Sequence, residues 1–179
     1  MKSELIDIFP LTILKSKILL SKLEKMKIID FILSHEKKNP NTDKISKDDG
    51  WLGDSQGQEF LFKEKIMLNL SKLIGDKIKE YVQALEIDSD KIHFYYQRTW
   101  ATITRKSERI KPHAHVQSNI SFAYYLIKPN NSGNLRFITE SQNEIATGLF
   151  THENVKLGLL KNNTMRNTPN VDIEVKEDD

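Results

Sequence analysis

The chain has 179 residues and no cysteine, and its 27 lysines and arginines nearly balance 25 aspartates and glutamates. This length predicts a single domain, residues 1–179, with a sizeable core of its own. The absence of cysteine excludes disulfides, thiolate metal sites and cysteine nucleophiles, and a net charge of +2 gives no reason to expect a nucleic-acid partner.

The sequence also lacks the marks of a membrane or secreted protein. No apolar run approaches the ~20 residues that a membrane-spanning helix needs. The first residues carry charge within their apolar stretch and have no small-residue cleavage site, so they do not resemble a signal peptide. We therefore expect a cytoplasmic protein with no membrane partner.

Two helices are predicted in the first half of the chain. Ser21 and Glu24 have the spacing of a capping box, and a helical apolar period follows over residues 22–34. The apolar residues of this first helix are Leu23, Met26, Ile29, Ile32 and Leu33. A polar loop follows, in which Trp51 is expected to be a packing anchor. The strongest apolar period then predicts a second helix over about residues 58–85.

The second half of the chain has the composition of β structure. Four segments are predicted as strands: residues 92–104, 119–127, 134–139 and 171–175. Helices first and strands second predict an α+β fold with an antiparallel sheet or sandwich. Residues 1–90 would form mainly helical support, and residues 91–179 would carry the strands.

Two of the five histidines, His113 and His115, stand two residues apart directly after Pro112. Side chains at this spacing on a strand point to the same face, so two imidazoles can converge on one metal ion. Because proline cannot donate to a sheet ladder, the pair is expected at the start of a strand or on a sheet edge. By itself the pair is a weak signal, because two nearby histidines also occur on exposed strands that bind no ligand.

The motifs around this pair resemble the 2-oxoglutarate/Fe(II)-dependent oxygenase superfamily. They are WATITR at residues 100–105, PHAH at 112–115, SNIS at 118–121, YYL at 124–126 and SGNLRF at 132–137, with a weaker element at Ile8, Phe9 and Pro10. They are most similar to a branch of oxygenases that carries a His-x-His pair. The resemblance implies a double-stranded β-helix, or cupin-like jelly roll, with the N-terminal helices packed on one sheet.

The resemblance also implies a site and a reaction. Fe(II) would be held by His113 and His115, with a histidine where most of the superfamily has a carboxylate. Tyr125 matches a tyrosine that bonds the distal carboxylate of the cosubstrate 2-oxoglutarate, and O2 would take an open coordination position. The implied activity is a hydroxylase-type dioxygenase oxidation of an unidentified substrate, coupled to decarboxylation of 2-oxoglutarate.

The superfamily pattern continues past Asp179, where this chain stops. The pattern needs a further strand, a distal metal-binding histidine and an arginine for the cosubstrate carboxylate. His152 comes too early for that ligand, and Arg166 does not match the arginine. We therefore expect an incomplete jelly roll that is inactive or weakly active. Its open sheet edges predict a homodimer or a strand-swapped assembly.

Two alternatives stay open at this point. A non-enzymatic jelly-roll binding or interaction module fits the histidine at the carboxylate position and the early end of the pattern, since one fold hosts many functions. A cupin-like enzyme that uses another metal and no 2-oxoglutarate is the third possibility. Binding of ferrous iron and 2-oxoglutarate distinguishes among the three.

Overall fold

A computed structural model describes residues 11–41, 48–138, 157–158 and 170–179. These residues contain two α-helices and four short strands in two antiparallel pairs. In chain order the elements are α1 (Lys22–Lys38), β1 (Trp51–Leu52), α2 (Leu68–Ala84), β2 (Thr102–Ile103), β3 (Leu135–Ile138) and β4 (Asn170–Ile173). The chain divides into two compact units. The first comprises Met1–Lys111, His115–Ala123 and Asp179, and the second comprises Pro112–Ala114 and Tyr124–Asp178.

Helix α1 begins where its capping residues predict. The Ser21 hydroxyl accepts a hydrogen bond from the Glu24 amide at 3.2 Å, which satisfies one of the otherwise unpaired amides of the first turn. The helix ends at Lys38, and the Asn39 amide donates to the carbonyl of His35. The predicted helix over residues 22–34 is thus confirmed and is one turn longer than its apolar period indicates.

The buried side of α1 differs from the side that apolar spacing predicts. Ile28 is fully buried, whereas Leu23, Met26 and Leu33 are 63%, 61% and 44% exposed. The expectation of one inward apolar face is therefore wrong for these three residues. The physical reason is that α1 carries apolar residues on both sides, so a helical period by itself does not determine which side packs.

Helix α2 starts later than its apolar period predicts. Two short 3-10 turns, Leu61–Lys63 and Lys65–Met67, precede it. Here the backbone is held by Thr99, whose carbonyl accepts from the Leu61 amide at 3.1 Å and whose hydroxyl accepts from the Phe62 amide at 2.8 Å. Glu64, between the two turns, has an extended backbone with φ −73° and ψ 131°, so a regular helix starts only at Leu68.

The inward side of α2 is formed by residues of the predicted apolar period. Leu70, Ile74 and Val82 are buried, and Met67 is buried just before the helix begins. One aromatic residue of the predicted 92–104 strand packs nearby: the Tyr96 ring stacks on Phe62 with centroids 5.6 Å apart.

The first sheet is short and is anchored by Trp51. Trp51 lies opposite Ile103 in the β1–β2 pair and is 3% exposed. Its indole N–H donates to the carbonyl of Asn39 at 2.8 Å. A Cβ atom at Gly50 would lie 2.7 Å from the Ile103 carbonyl oxygen, so the close pairing requires glycine there. The predicted role of Trp51 as a packing anchor is confirmed.

The second unit contains the β3–β4 pair. Strand β3 falls within the predicted segment 134–139, and β4 begins one residue before the predicted segment 171–175 and ends at Ile173. Arg136 lies opposite Asp172 and bonds it through two nitrogens, at 2.6 and 2.7 Å. The guanidinium lowers the pKa of the Asp172 carboxyl through this hydrogen bond. The alternating exposure of β3 matches a sheet with one covered face.

The other two predicted strands are mostly wrong. Within residues 92–104 only Thr102–Ile103 is a strand, joined by one bridge between Phe60 and Thr99. Residues 119–127 form no strand. Aromatic and β-branched residues suit a packed surface, but a strand also needs a neighbouring backbone to pair with. Here the aromatic side chains of the two segments pack on each other without strand pairing: the rings of Tyr96 and Phe122 meet edge to face, with centroids 6.0 Å apart.

Each sheet of the described residues has two strands, which do not form a closed barrel. The jelly-roll core is not tested by these residues and stays a prediction. The single-domain organisation also stays a prediction. The motif at Ile8, Phe9 and Pro10, together with His152 and Arg166, lies outside the described residues. No helix within the described ranges is long and apolar enough to cross a membrane.

Candidate functional site

The His-x-His motif lies in irregular backbone. Residues 111–115 belong to no strand, so the expectation that the pair begins a strand or lies on a sheet edge is wrong in the described structure. Both imidazoles are exposed. His113 belongs to the second compact unit and His115 to the first, and each is therefore described within its own unit.

His115 is oriented by a serine and a tryptophan. Its Nδ1 atom lies 3.0 Å from the Ser121 hydroxyl, which in turn lies 3.2 Å from the hydroxyl of Ser118. The Trp100 ring meets the imidazole edge-on, with centroids 5.4 Å apart and planes at 72°. When Nδ1 donates to Ser121, the ring lone pair is on Nε2, which is the tautomer that metal-binding histidines adopt when the outer nitrogen is hydrogen-bonded.

A charged layer lies behind this tryptophan. The Arg98 guanidinium is 5.7 Å from the centroid of the Trp100 ring, within the range of a cation–π contact. The same guanidinium forms an ion pair with the Glu59 carboxylate. Glu59 also accepts from the Thr99 amide through its backbone carbonyl at 2.9 Å. The Trp100 side of the His115 site is thus tied to the segment that precedes α2.

Tyr125 lies in the second unit and is half-buried. A phenol is protonated at neutral pH at its usual pKa, and burial raises the pKa of Tyr125 further, so its hydroxyl can donate a hydrogen bond. Its backbone carbonyl accepts from the Asp178 amide at 2.8 Å, and the neighbouring Tyr124 hydroxyl donates to the Asp178 carboxylate at 2.9 Å. These bonds hold the Tyr124–Tyr125 backbone in place.

The metal that the motifs imply can be tested against the donors present. Imidazole nitrogen suits ferrous iron, so His113 and His115 have the right chemistry for two of its ligands. Nowhere in the described ranges do three or more histidine, aspartate or glutamate side chains form a group that could hold a metal ion. The donor type therefore fits, but the described residues do not supply a third ligand. Glu140, the nearby carboxylate in sequence, lies outside them.

A separate cavity of about 300 Å³ opens beside Trp51 in the first unit. Its lining includes Glu36, Arg105 and Glu108. The Arg105 guanidinium bonds both carboxylate oxygens of Glu36, at 2.7 and 2.8 Å, and its backbone amide donates to Glu108 at 2.9 Å. The hydrogen bond to Glu36 raises the pKa of Arg105. None of His113, His115 and Tyr125 lines this cavity. Because Arg105 is already bonded to Glu36 and Glu108, we interpret these charged groups as structural contacts between α1 and the segment after β2.

Comparisons of this chain with protein-family models, with curated proteins and with solved structures find no match. The candidate function is therefore inferred from the motifs and from the surroundings of His115 and Tyr125.

Ser121 and Trp100 were not assigned a role by the sequence. Both belong to the motifs that carry the family resemblance, yet their distance from His115 along the chain, six and 15 residues, corresponds to no helical or strand repeat. The signal in the sequence is that Trp100 begins one of these motifs, WATITR, and Ser121 ends another, SNIS.

Proposed function

We propose that this chain carries part of the active site of an Fe(II)/2-oxoglutarate-dependent dioxygenase. His113 and His115 would be iron ligands, and Tyr125 would bind the cosubstrate. The observation that supports the proposal most directly is the hydrogen bond between His115 Nδ1 and the Ser121 hydroxyl. It gives this histidine the outer partner that metal-binding histidines commonly have.

The chain's own side chains would bind and orient. Ser121 and the edge of Trp100 would restrict rotation of the His115 ring, so that Nε2 keeps one direction. The protonated Tyr125 hydroxyl would donate a hydrogen bond to a cosubstrate carboxylate, an interaction strengthened by the negative charge of the acceptor. Bound ferrous iron would supply the O2-dependent oxidation. The cytoplasm, where thiols stay reduced and iron is available as Fe(II), is the proposed compartment.

Anaerobic titration with ferrous iron tests the proposal. The wild-type chain should bind Fe(II), and added 2-oxoglutarate should then produce a visible charge-transfer absorption band. His113→Ala and His115→Ala should each weaken Fe(II) binding by tenfold or more. His93→Ala is the matched control, because His93 is an exposed histidine of the first unit outside the motif.

Each result separates a different part of the proposal. Equal Fe(II) affinity in all four proteins would show that the histidine pair is not the metal site. Iron binding that persists without an absorption band on addition of 2-oxoglutarate would point to the cupin-like metal enzyme that lacks this cosubstrate. Tyr125→Phe should weaken 2-oxoglutarate binding while leaving Fe(II) affinity unchanged.

A non-enzymatic binding or interaction module is the second candidate. It is favoured by the lack of any three-residue ligand group in the described parts of the chain. Under this alternative, the folded wild-type protein binds neither ferrous iron nor 2-oxoglutarate. Circular dichroism recorded on the same samples confirms that the fold is intact, so that a negative titration supports the module rather than an unfolded protein.

A further inference from the structure

The outer side of α1 carries a regular row of exposed residues. Leu23, Met26 and Leu33 are 63%, 61% and 44% exposed. Asp30 and Lys37, also exposed, complete a spacing of three and four residues. We call these five residues the outer stripe. With 3.6 residues per turn they fall within about 80° of arc, the arrangement of the a and d positions through which two helices pack in a coiled coil.

We propose that a second copy of this chain covers the outer stripe, with the two α1 helices packed antiparallel. A twofold axis near Ile28 sets Leu23 of each copy against Leu33 of the partner copy, so two leucine layers form at the ends of the contact. The central layers pair Met26 with Asp30. Ile28 itself is fully buried on the opposite side of the helix and stays in the core of its own copy.

The charges of the stripe favour this direction and this partner. In a parallel pair Asp30 would face Asp30 and Lys37 would face Lys37, and such like-charge contacts are unfavourable. In the antiparallel pair the exposed Lys27, which flanks the stripe, lies beside Asp30 of the partner copy, and this attraction occurs twice. A surface of anionic lipid fits less well, because Asp30 lies in the middle of the apolar residues.

The contact is small, so the association should depend strongly on concentration. Helix α1 has 17 residues, which corresponds to a length of about 25 Å. A contact between two single helices of this length is expected to bury a small area, and small buried areas are typical of weak and transient contacts. This proposal gives the predicted homodimer a helix contact surface, on grounds that are independent of the iron site and of the sheet edges.

Sedimentation equilibrium over a range of concentrations tests the stripe. The wild-type chain should self-associate, and Leu33→Lys should weaken the association by tenfold or more. Leu68→Lys is the matched control, because Leu68 is 56% exposed on α2 and lies outside the stripe. A wild-type chain that stays monomeric at every concentration, or a Leu33→Lys chain that associates like the wild type, overturns the proposal.

Engineered cysteines test the direction of packing, since the natural chain contains none. Under mild oxidation, a mixture of Leu23→Cys and Leu33→Cys chains should form a cross-linked heterodimer, whereas either variant alone should cross-link at least tenfold less. Self-cross-linking of Leu23→Cys would indicate parallel helices and contradict the proposal. Cosedimentation of monomeric wild-type protein with phosphatidylserine vesicles would assign the stripe to a lipid surface and likewise contradict it.

Discussion

The two helices of the first unit have equal length and opposite distributions of apolar residues. Each contains 17 residues. Helix α2 gathers its apolar residues on one side, where Leu70, Ile74 and Val82 are buried. Helix α1 divides them between two sides, with Ile28 inside and Leu23 outside. A helix with one apolar side has one favourable way to pack, whereas a helix with two has a second surface available to another partner.

The largest expected effect distinguishes the two sides of α1. Ile28→Ala removes a fully buried side chain and should lower the free energy of unfolding by about 2–5 kcal/mol, through lost burial and the cavity that remains. Met26→Ala, on the exposed side, is the matched control and should change it by at most about 0.5 kcal/mol in dilute solution. Urea denaturation of both variants measures the difference. Similar values for the two substitutions would contradict the assignment of the inner side.

A smaller effect of the opposite sign is expected in α2. Gly75 lies within the helix, and a Cβ atom there would meet the Tyr96 hydroxyl at 3.8 Å, an ordinary van der Waals contact. Gly75→Ala should therefore raise the free energy of unfolding by about 0.5–1 kcal/mol, because alanine restricts the unfolded chain and favours the helix. Thermal or urea denaturation measures it. Destabilisation would show that the packing of Tyr96 on α2 tolerates no additional methyl group.

The smallest effect at neutral pH concerns Tyr96, which packs on the same helix. Burial, followed by the nearby Asp76 charge, raises the pKa of its phenol to about 12, although a backbone hydrogen bond opposes the shift. The folded state therefore keeps the proton that the unfolded state loses near pH 10. Stability from this group is fully present below about pH 10 and is lost as the pH rises towards about 12.

Tyr96→Phe tests this pH dependence. The variant also loses the hydrogen bond from the phenol to the Ser71 carbonyl, so its stability at neutral pH should be somewhat lower. Its additional loss of stability between about pH 10 and pH 12 should be smaller than that of the wild type. Urea denaturation at a series of alkaline pH values measures both. Parallel pH profiles for the two proteins would exclude Tyr96 as the titrating group.

Features of the fold that depend only on neighbouring residues in the sequence were predictable. The capping residues at Ser21 located the start of α1, and strand composition located β3 and β4 to within one or two residues. The start of α2 was not predictable from its apolar period, because an extended residue, Glu64, interrupts that period. The preceding turn is held from far along the chain by Thr99, which accepts from the backbone amides of Leu61 and Phe62. Residues 119–127 have strand composition but no strand partner among the described residues.

In the candidate site, the motif residues were predictable from the sequence, and the residues that contact His115 were not. The spacing of His113 and His115 and the position of Tyr125 were visible in the sequence as a motif block. The support around His115 was not, since Trp100 and Ser121 reach it from separate segments. The iron and 2-oxoglutarate that these motifs imply stay proposals, for which the ferrous titration is the direct test.

The sequence by itself determined which residue types are available. It contains no thiol, two histidines two positions apart, and two helices with clear apolar periods, because composition and spacing are properties of the chain. Only the tertiary structure decided which side of α1 is buried, where α2 begins and what holds the His115 ring. These depend on contacts between distant segments, and burial of Ile28 rather than Leu23 results from the shape of the surface that α1 meets.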